Sequence, residues 1–463
     1  MRGGGPVDLA ARLEEIVGTA NVLTGDAIGD DYAHDETLTA TPTTPAHVVR
    51  PGSADEVAAV LTAAAEAGVP VTARGSGSGL SGSAVPREDG ILVSFERMNE
   101  ILEIDTVNHV AVVQPGVTLT ELEAATAEVG MVYPVYPGEL SASLGGNVNT
   151  NAGGMRAVKY GVTRHHVLGL EAVLPTGETI RTGGKFVKAS TGYDLTQLIV
   201  GSEGTLALVT EAILKLQPRM TEQATVLAPF PDLASVATAV PKVVGSGIGA
   251  LILEYIDALT MGAITYTADL QLGVPDEVKE KSQAYLVVML ENNSAQRLAE
   301  DVEAVGELLS ELGALDVYSL PGGAARKLIE AREKAFFTAK GAGADDIIDT
   351  VLPRAALPEF FAKVLEIAQG SQTLVVGCGH AGDGNVHLAV FQKDAEVRHR
   401  VLHDLFSAGM ALGGAISGEH GIGREKKQHF LDLEDPAKIE LMKRIKQAFD
   451  PRGILNPGVL FDA

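Results

Sequence analysis

The chain has 463 residues, 46% of them hydrophobic and 21% charged, which suits a folded, enzyme-sized protein and excludes a disordered one. With 36 Lys and Arg against 60 Asp and Glu, the net charge is −24, so nucleic acid is excluded as a partner and an anionic membrane is disfavoured, since both demand a basic face. A single cysteine, Cys378, excludes an internal disulfide framework and any cysteine-rich iron–sulfur or zinc-finger site. No stretch approaches ~18 apolar residues without charge. Residues 1–18 lack both the basic-then-apolar pattern of a secretory leader and the Arg-rich, acid-poor look of a transit peptide. The expected location is cytoplasmic, with any membrane association made through a partner.

From Ala46 the pattern alternates strand and helix. His47–Arg50 reads as a short strand. Ser53 then caps a helix with Glu56 completing a capping box, Val57, Val60, Leu61 and Ala64 give its period, and Gly68 stops it. Val69–Ala73, Ile91–Phe95, Ile101–Asp105 and His109–Val113 read as strands, and Thr118–Val129 as a second capped helix. Leu168–Leu174 and Glu178–Arg181 form a hairpin around Pro175-Thr-Gly177, and Leu206–Leu216 is another strand. Near Pro218 longer α/β units take over. Strands Ala224–Pro229, Leu251–Ile256, Ala284–Leu290, Ile347–Leu352 and Thr373–Cys378 alternate with helices such as Leu233–Val244, Ser294–Leu312, Ala324–Lys340 and Pro353–Gln369. These predict an antiparallel sheet with helices on one face. After about Leu412 glycine and histidine return, and a final helix, Pro436–Phe449, leads to Ile454-Leu-Asn-Pro-Gly458. The expected fold class is α+β, divided into residues 1–218, 219–412 and 413–463.

Glycine clusters carry the first functional signal. Arg74-Gly-Ser-Gly-Ser-Gly-Leu-Ser-Gly82 follows a strand and contains Gly77-x-Gly79-x-x-Gly82. A Rossmann site needs a helix to open there, but Pro86 to Gly90 intervene and a strand follows. No Lys-Ser/Thr completes a Walker A loop either. What survives is a strand–loop–strand whose bare amides form an anion nest. A second stretch runs from Tyr136-Pro-Gly138 to Ser143-Leu-Gly-Gly-Asn-Val-Asn-Thr-Asn-Ala-Gly-Gly154. Its small residues let a flat ligand lie against backbone, and Asn147, Asn149, Thr150 and Asn151 suit a heteroaromatic edge.

These two loops, followed by Gly201-Ser-Glu-Gly-Thr-Leu-Ala-Leu-Val-Thr210, resemble the FAD-binding half of the vanillyl-alcohol-oxidase flavoproteins. Within that group the chain is most similar to the FAD-linked 2-hydroxy-acid dehydrogenases: D-lactate dehydrogenase, the glycolate oxidase flavin subunit and D-2-hydroxyglutarate dehydrogenase. The resemblance runs from about Tyr32 to Phe461. It implies a two-part FAD-binding domain and an antiparallel-sheet cap. Arg74, Gly75, Ser76, Gly77, Ser78, Gly79 and Leu80 would cradle the pyrophosphate. Pro137, Gly138, Ser143, Gly145, Gly146, Asn147, Thr150 and Gly154 would line the isoalloxazine and ribityl side. Glu203, Gly204 and Val209 would lie near the adenosine half, with Asn456 touching the cofactor or capping a turn. Some relatives tether the flavin through a His in the first loop; this loop has none, so non-covalent FAD is expected.

Gly379-His-Ala-Gly-Asp-Gly-Asn-Val-His387 and Ser417-Gly-Glu-His-Gly-Ile-Gly423 are the most specific segments. Two imidazoles flanking a tight turn, with Glu419 from a distant segment, suit a divalent ion such as Zn²⁺ or Mn²⁺. A plain hydrogen-bonded hairpin with Asx turns at Asp383 and Asn385 fits the same residues. The resemblance implies that His380, His387 and Glu419 are metal ligands, that His420 is the base, and that Arg332 pairs the substrate carboxylate. The 2-hydroxyglutarate branch carries a further Lys at the place of Ile347, so a monocarboxylate such as D-lactate or glycolate is expected. The implied reaction moves the α-hydrogen as hydride to flavin N5 while His420 takes the hydroxyl proton. Competing readings are a D-2-hydroxyglutarate-type dehydrogenase, a redox-neutral alkyl-glycerone-phosphate synthase type, a zinc hydrolase using Glu419 and His420, and a non-catalytic flavin carrier. Electrons would leave to a quinone, an electron-transfer flavoprotein, an iron–sulfur subunit or oxygen, and a homodimer is compatible. Phe336 and Phe337 either close a small pocket or, the preferred reading, belong to the core; Cys378 reads as core and the pair His165-His166 as solvated.

Overall fold

The computed structural model describes residues 9–462. Two larger sheets, with a two-stranded one joining Met131–Val132 to Gln217–Pro218, build the N-terminal half. The first has the order Val22–Leu23, His47–Val49, Ile91–Ser94, Val71–Arg74, and the strands at 47 and 71 both run parallel to the one at 91. All four residues of Ile91–Ser94 are buried, as a parallel strand covered on both faces requires. The helix Ala54–Ala67 packs on it through Val57, Val60, Leu61 and Ala64. Ser53 caps that helix by accepting the Glu56 N–H, but Glu56 reaches back to the Gly52 N–H rather than to Ser53, so the expected capping box is offset by one residue. At Thr118 the full box forms. The second sheet is antiparallel, ordered Ile101–Asp105, Val110–Val113, Leu208–Lys215, Val167–Val173, Thr179–Gly183.

Seven antiparallel strands form the sheet of the C-terminal half, in the order Tyr318–Leu320, Glu222–Phe230, Ala284–Asn292, Ile252–Asp257, Leu374–Gly379, Asn385–Phe391, Asp346–Val351. Helices Leu233–Gly245, Ala295–Glu311, Leu357–Gly370 and Ala395–Ala411 cover one face through Val240, Val305, Phe360 and Leu405. The expectation of a single helical layer is corrected on the other face. There Ala258–Thr267 and Gly322–Glu333 pack Met261, Ile264, Leu328 and Ile329 on Ile252, Ile256, Tyr285 and Val287. The unbroken apolar run Tyr285–Leu290 carries the reason: a strand buried on both sides does not alternate. The single helix expected over Ala324–Lys340 is two, Gly322–Glu333 and Ala335–Gly341, which break at Lys334.

Two local readings also change. The Gly/Asn stretch is not a loop throughout: Leu144–Thr150 is a helix with Ser143 as its N-cap. Its propensity is poor, and packing wins, because Leu144 and Val148 are buried one turn apart. His166 is not solvated; it is buried, 2.9 Å from the Tyr160 carbonyl, and burial lowers its pKa. The final helix occupies Pro436–Phe449 as expected. After it, Leu455 bridges Val71 in parallel, so the end of the chain adds to the first sheet. Among the described residues no helix is long and apolar enough to cross a membrane.

Candidate functional site

Two cavities meet at the junction of the halves. The first is lined by every residue from Arg74 to Leu80, and by Pro137, Ser143, Gly145, Gly146, Asn147, Thr150, Glu203, Gly204, Val209 and Asn456. Gly138 lines the second cavity instead. Gly154 faces neither: it bridges Tyr136 at φ +106, where a β-carbon would strike the Tyr136 carbonyl, so it shapes backbone. A β-carbon on Gly75 would overlap Ser143 Oγ, so the first loop touches the N-terminus of the short helix through that glycine, and one on Gly145 would lie 2.5 Å from Pro115 Cβ, so the same helix packs closely on the segment after Val110–Val113.

Several polar groups on this wall are already engaged. Arg74 folds over Gly77 and donates to the His34 carbonyl at 2.6 Å, which fixes the loop. Ser76 Oγ donates to the Ser141 carbonyl and Thr150 Oγ1 to the Gly146 carbonyl. Asn456 Nδ2 donates to the carbonyls of Ser83 and Glu203, joining three segments at the cavity floor. The Glu203 carboxylate accepts the N–H groups of Ile422 and Gly423 at 2.9 and 2.8 Å, and burial raises its pKa. What stays open is informative. Asn147 Nδ2 and Asn149 Oδ1 are buried at the wall without a hydrogen-bond partner among the described residues. A buried donor and acceptor left unpaired are costly, and a heteroaromatic ring edge satisfies both, so the residues present fit FAD.

The second centre follows from strand periodicity. Along Asn385–Phe391, Val386, Leu388 and Val390 enter the core, so His387 faces the opposite side. Register places Asp349 and Cys378 on either side of His387. On Ile252–Asp257, Leu253 and Tyr255 enter that same core, so Glu254 faces the side of His387. His380 lies in the tight turn, where Asp383 Oδ1 accepts the Asn385 N–H in the expected Asx turn. Glu419 Oε1 then lies 3.1 Å from His380 Nε2 and 3.3 Å from His387 Nε2. His420 stacks on His387 with ring centroids 5.0 Å apart. Metal-binding atoms of His380, His387 and Glu419 all lie within 4.8 Å of one another.

Two carboxylates hold this cluster from behind, and neither carries a sequence motif. Glu254 lies 2.7 Å from His380 Nδ1 and, through its other oxygen, 2.7 Å from Arg332 Nη2. A carboxylate only accepts, so His380 Nδ1 carries the proton and Nε2 is the atom left for a metal. Asp349 Oδ2 accepts from Ser417 Oγ and from the N–H groups of Gly418, Glu419 and His420 at 2.7 to 3.0 Å. Its other oxygen takes Asn385 Nδ2 at 2.6 Å. A buried chain marking these acids is the only sequence signal: charged residues inside otherwise apolar strands.

Charge is distributed accordingly. Burial alone would lower the His380 pKa, but Glu254 and Glu419 outweigh it and raise it. Burial would raise that of Glu419, and His380 with His387 hold it well below the usual carboxylate range. Asp349 is lowered too: burial opposes, and His420 and His387 prevail. Burial pushes the His420 imidazole down to about 4, so it is neutral and able to accept a proton; its Nδ1 has no hydrogen-bond partner among the described residues. Two imidazoles and a carboxylate converging with Glu419 Oε2 still unpaired fit a divalent ion.

The second cavity opens beside this cluster and is lined by Arg332, His380, His387, Glu419 and His420. Glu419, His420, Ser78, Leu80, Pro137 and Glu139 line both cavities, so the two are contiguous. Phe336 and Phe337 are not core; they form part of the second cavity's wall. Cys378 packs in the core and also reaches that wall, with burial pushing its thiol up to about 11.

Comparison with known proteins points to FAD-linked families. Residues 45–183 match the FAD binding domain family, and residues 219–460 match the C-terminal domain of FAD linked oxidases. An uncharacterised FAD-linked oxidoreductase of Mycobacterium tuberculosis is 63% identical, covering 98% of this chain and 99% of the relative. The glycolate oxidase subunit GlcD of Bacillus subtilis is 37% identical, covering 98% and 97%. A D-lactate dehydrogenase of Archaeoglobus fulgidus is also 37% identical, covering 89% and 90%. The solved structure of p-cresol methylhydroxylase with bound substrate shares the fold at a TM-score of 0.81 and 17% identity, covering 98% of this chain and 96% of that one.

Proposed function

This chain belongs to the FAD-linked oxidases, and we propose that it oxidises a D-2-hydroxy monocarboxylate to the 2-keto acid with a divalent ion held by His380, His387 and Glu419. The observation that carries this reading is that Glu419 and His420 line both cavities, so one pair of adjacent residues faces the flavin site and the substrate site together. The names of the relatives, a D-lactate dehydrogenase and a glycolate oxidase subunit, support the same substrate class. In this reading residues 1–218 and 413–463 hold the cofactor and 219–412 cap the substrate.

When bound, the flavin supplies a hydride acceptor and the metal a Lewis acid that makes the substrate hydroxyl more acidic. The chain's own residues do the rest. Arg332, its guanidinium braced by Glu254, presents charge to the substrate carboxylate. Neutral His420 takes the hydroxyl proton as the α-hydrogen departs with its electron pair, so the two electrons lost by the carbon leave as hydride. Asp349 keeps His420 in place by holding its backbone N–H. With one cysteine the chain has no iron–sulfur cluster of its own, so electrons pass from the flavin to an external acceptor.

The test is anaerobic reduction of the purified yellow protein by D- and L-2-hydroxy acids, with and without a chelator. D-isomers are expected to bleach the flavin, and chelator is expected to stop the bleaching while leaving the flavin bound. Bleaching by L-isomers alone, or bleaching that no chelator affects, overturns the reading.

A further inference from the structure

We infer that the substrate's side chain is apolar and larger than a methyl group, which rests on the 2-hydroxy-acid reading above and departs from the small acids expected from the sequence. The second cavity has a volume of about 510 Å³, of which the flavin edge and the metal would take the end shared with the first cavity; the part beyond His387 along the sheet is left for the substrate. Its reactive end carries the histidines, Glu419 and Arg332. The rest of its sheet wall carries no charge and includes Ile347, Val376, Ala389 and Phe391.

Strand geometry makes that wall continuous with the chemistry. His387, Ala389 and Phe391 are alternate residues of one strand and share a face. Ile347 pairs with Ala389 across one edge, and Val376 across the other. At ~3.4 Å per residue, the surface runs ~14 Å from His387 to Phe391. That surface is longer than any methyl needs and leaves room beside the histidines for a branched aliphatic chain or a phenyl group. Ile264 and Phe336 close over it from the helices Ala258–Thr267 and Ala335–Gly341.

Charge points the same way. Among the described lining residues Arg332 is the one Lys or Arg, while Glu36, Glu139 and Glu333 lie on the wall. Lys340 is near but is paired with Glu36 at 2.8 Å. A second carboxylate would meet Glu139, Glu333 and the paired Glu36, with no free Lys or Arg among the described lining residues. The outer end, marked by half-exposed Phe337 and Leu374, opens to solvent, so a chain of several carbons meets no wall.

The experiment measures kcat/KM of the flavin- and metal-loaded enzyme with glycolate, D-lactate, D-2-hydroxyisocaproate, D-3-phenyllactate and D-2-hydroxyglutarate. Each buried methylene contributes about fourfold, so D-2-hydroxyisocaproate or D-3-phenyllactate is expected to exceed D-lactate at least about tenfold. D-2-hydroxyglutarate is expected to fall below both. Thermal stabilisation of the protein by 2-ketoisocaproate against pyruvate reads the same preference without turnover. Ala389→Phe, with Ile347→Phe as a second variant, fills the wall and is expected to lower the isocaproate-to-lactate ratio at least about tenfold with flavin content unchanged. Glycolate, D-lactate or D-2-hydroxyglutarate as the best substrate, or a ratio that neither variant moves, overturns the inference while leaving the reaction standing. If none of the five acids reduces the flavin, the reaction itself falls and the inference with it.

Discussion

Asp349 decides the shape of the loop that carries Glu419 and His420, because one oxygen collects four donors from it. Asp349→Asn turns one acceptor oxygen into a donor that faces N–H groups. The expected loss is about 3 kcal/mol or more in urea unfolding, together with loss of bound metal in elemental analysis. His420→Ala should instead leave stability and flavin content unchanged and lower kcat by ~10²–10⁴, the usual weight of a general base. The two variants separate holding from reacting. The sequence made His380, His387, Glu419 and His420 visible because glycine-flanked histidines are rare and tightly spaced. It hid Glu254 and Asp349, since acids in mid-strand bear no fixed spacing to the groups they serve, and only register brings Asp349 opposite His387.

Elements were legible where period and caps agreed, as at Ala54–Ala67 and Pro436–Phe449, and misread where packing overrode propensity, as at Leu144–Thr150. The helix pair Ala395–Ala411 and Lys427–Leu433 adds a pH dependence. His429 stacks on His399 and meets His403 and Phe406 at a tilt. Burial first, and then the two neighbouring histidines, push it from 6.5 down to about 4. An unfolded chain takes that proton at higher pH than the folded one, so acid favours unfolding. Stability is expected to fall as pH drops from about 6.5 towards about 4 and to level off below. The share of His429 is about 2 kcal/mol at most after discounting for its partial burial. His429→Phe should flatten that part of the slope in urea titrations at stepped pH; an unchanged slope assigns it to other groups, such as His166.

At the scale of the whole molecule, the strand–helix alternation and the change of texture near Pro218 announced two kinds of sheet. The second helical layer on the seven-stranded sheet was missed although the unbroken apolar run Tyr285–Leu290 is its trace, because such a run does not say which elements cover its two faces. The return of the chain end to the first sheet is a long-range event with a small local signature. Buried Lys446 donates to the carbonyls of Thr205 and Leu455 and to Asp450 at 2.6 to 2.8 Å, and Asn456 completes the floor of the flavin cavity. A chain ending at Phe449 is therefore expected to purify with little or no flavin, measured as the flavin-to-protein absorbance ratio.

The segment bearing Glu419 and His420 is fastened at both ends, by Asp349 from the seven-stranded sheet and by Glu203 from the N-terminal half. It acts as a rivet through the seam. A lid hinged at that seam would pull the segment from one of its two anchors each time it lifted, so opening there costs the buried hydrogen bonds of Asp349 or of Glu203.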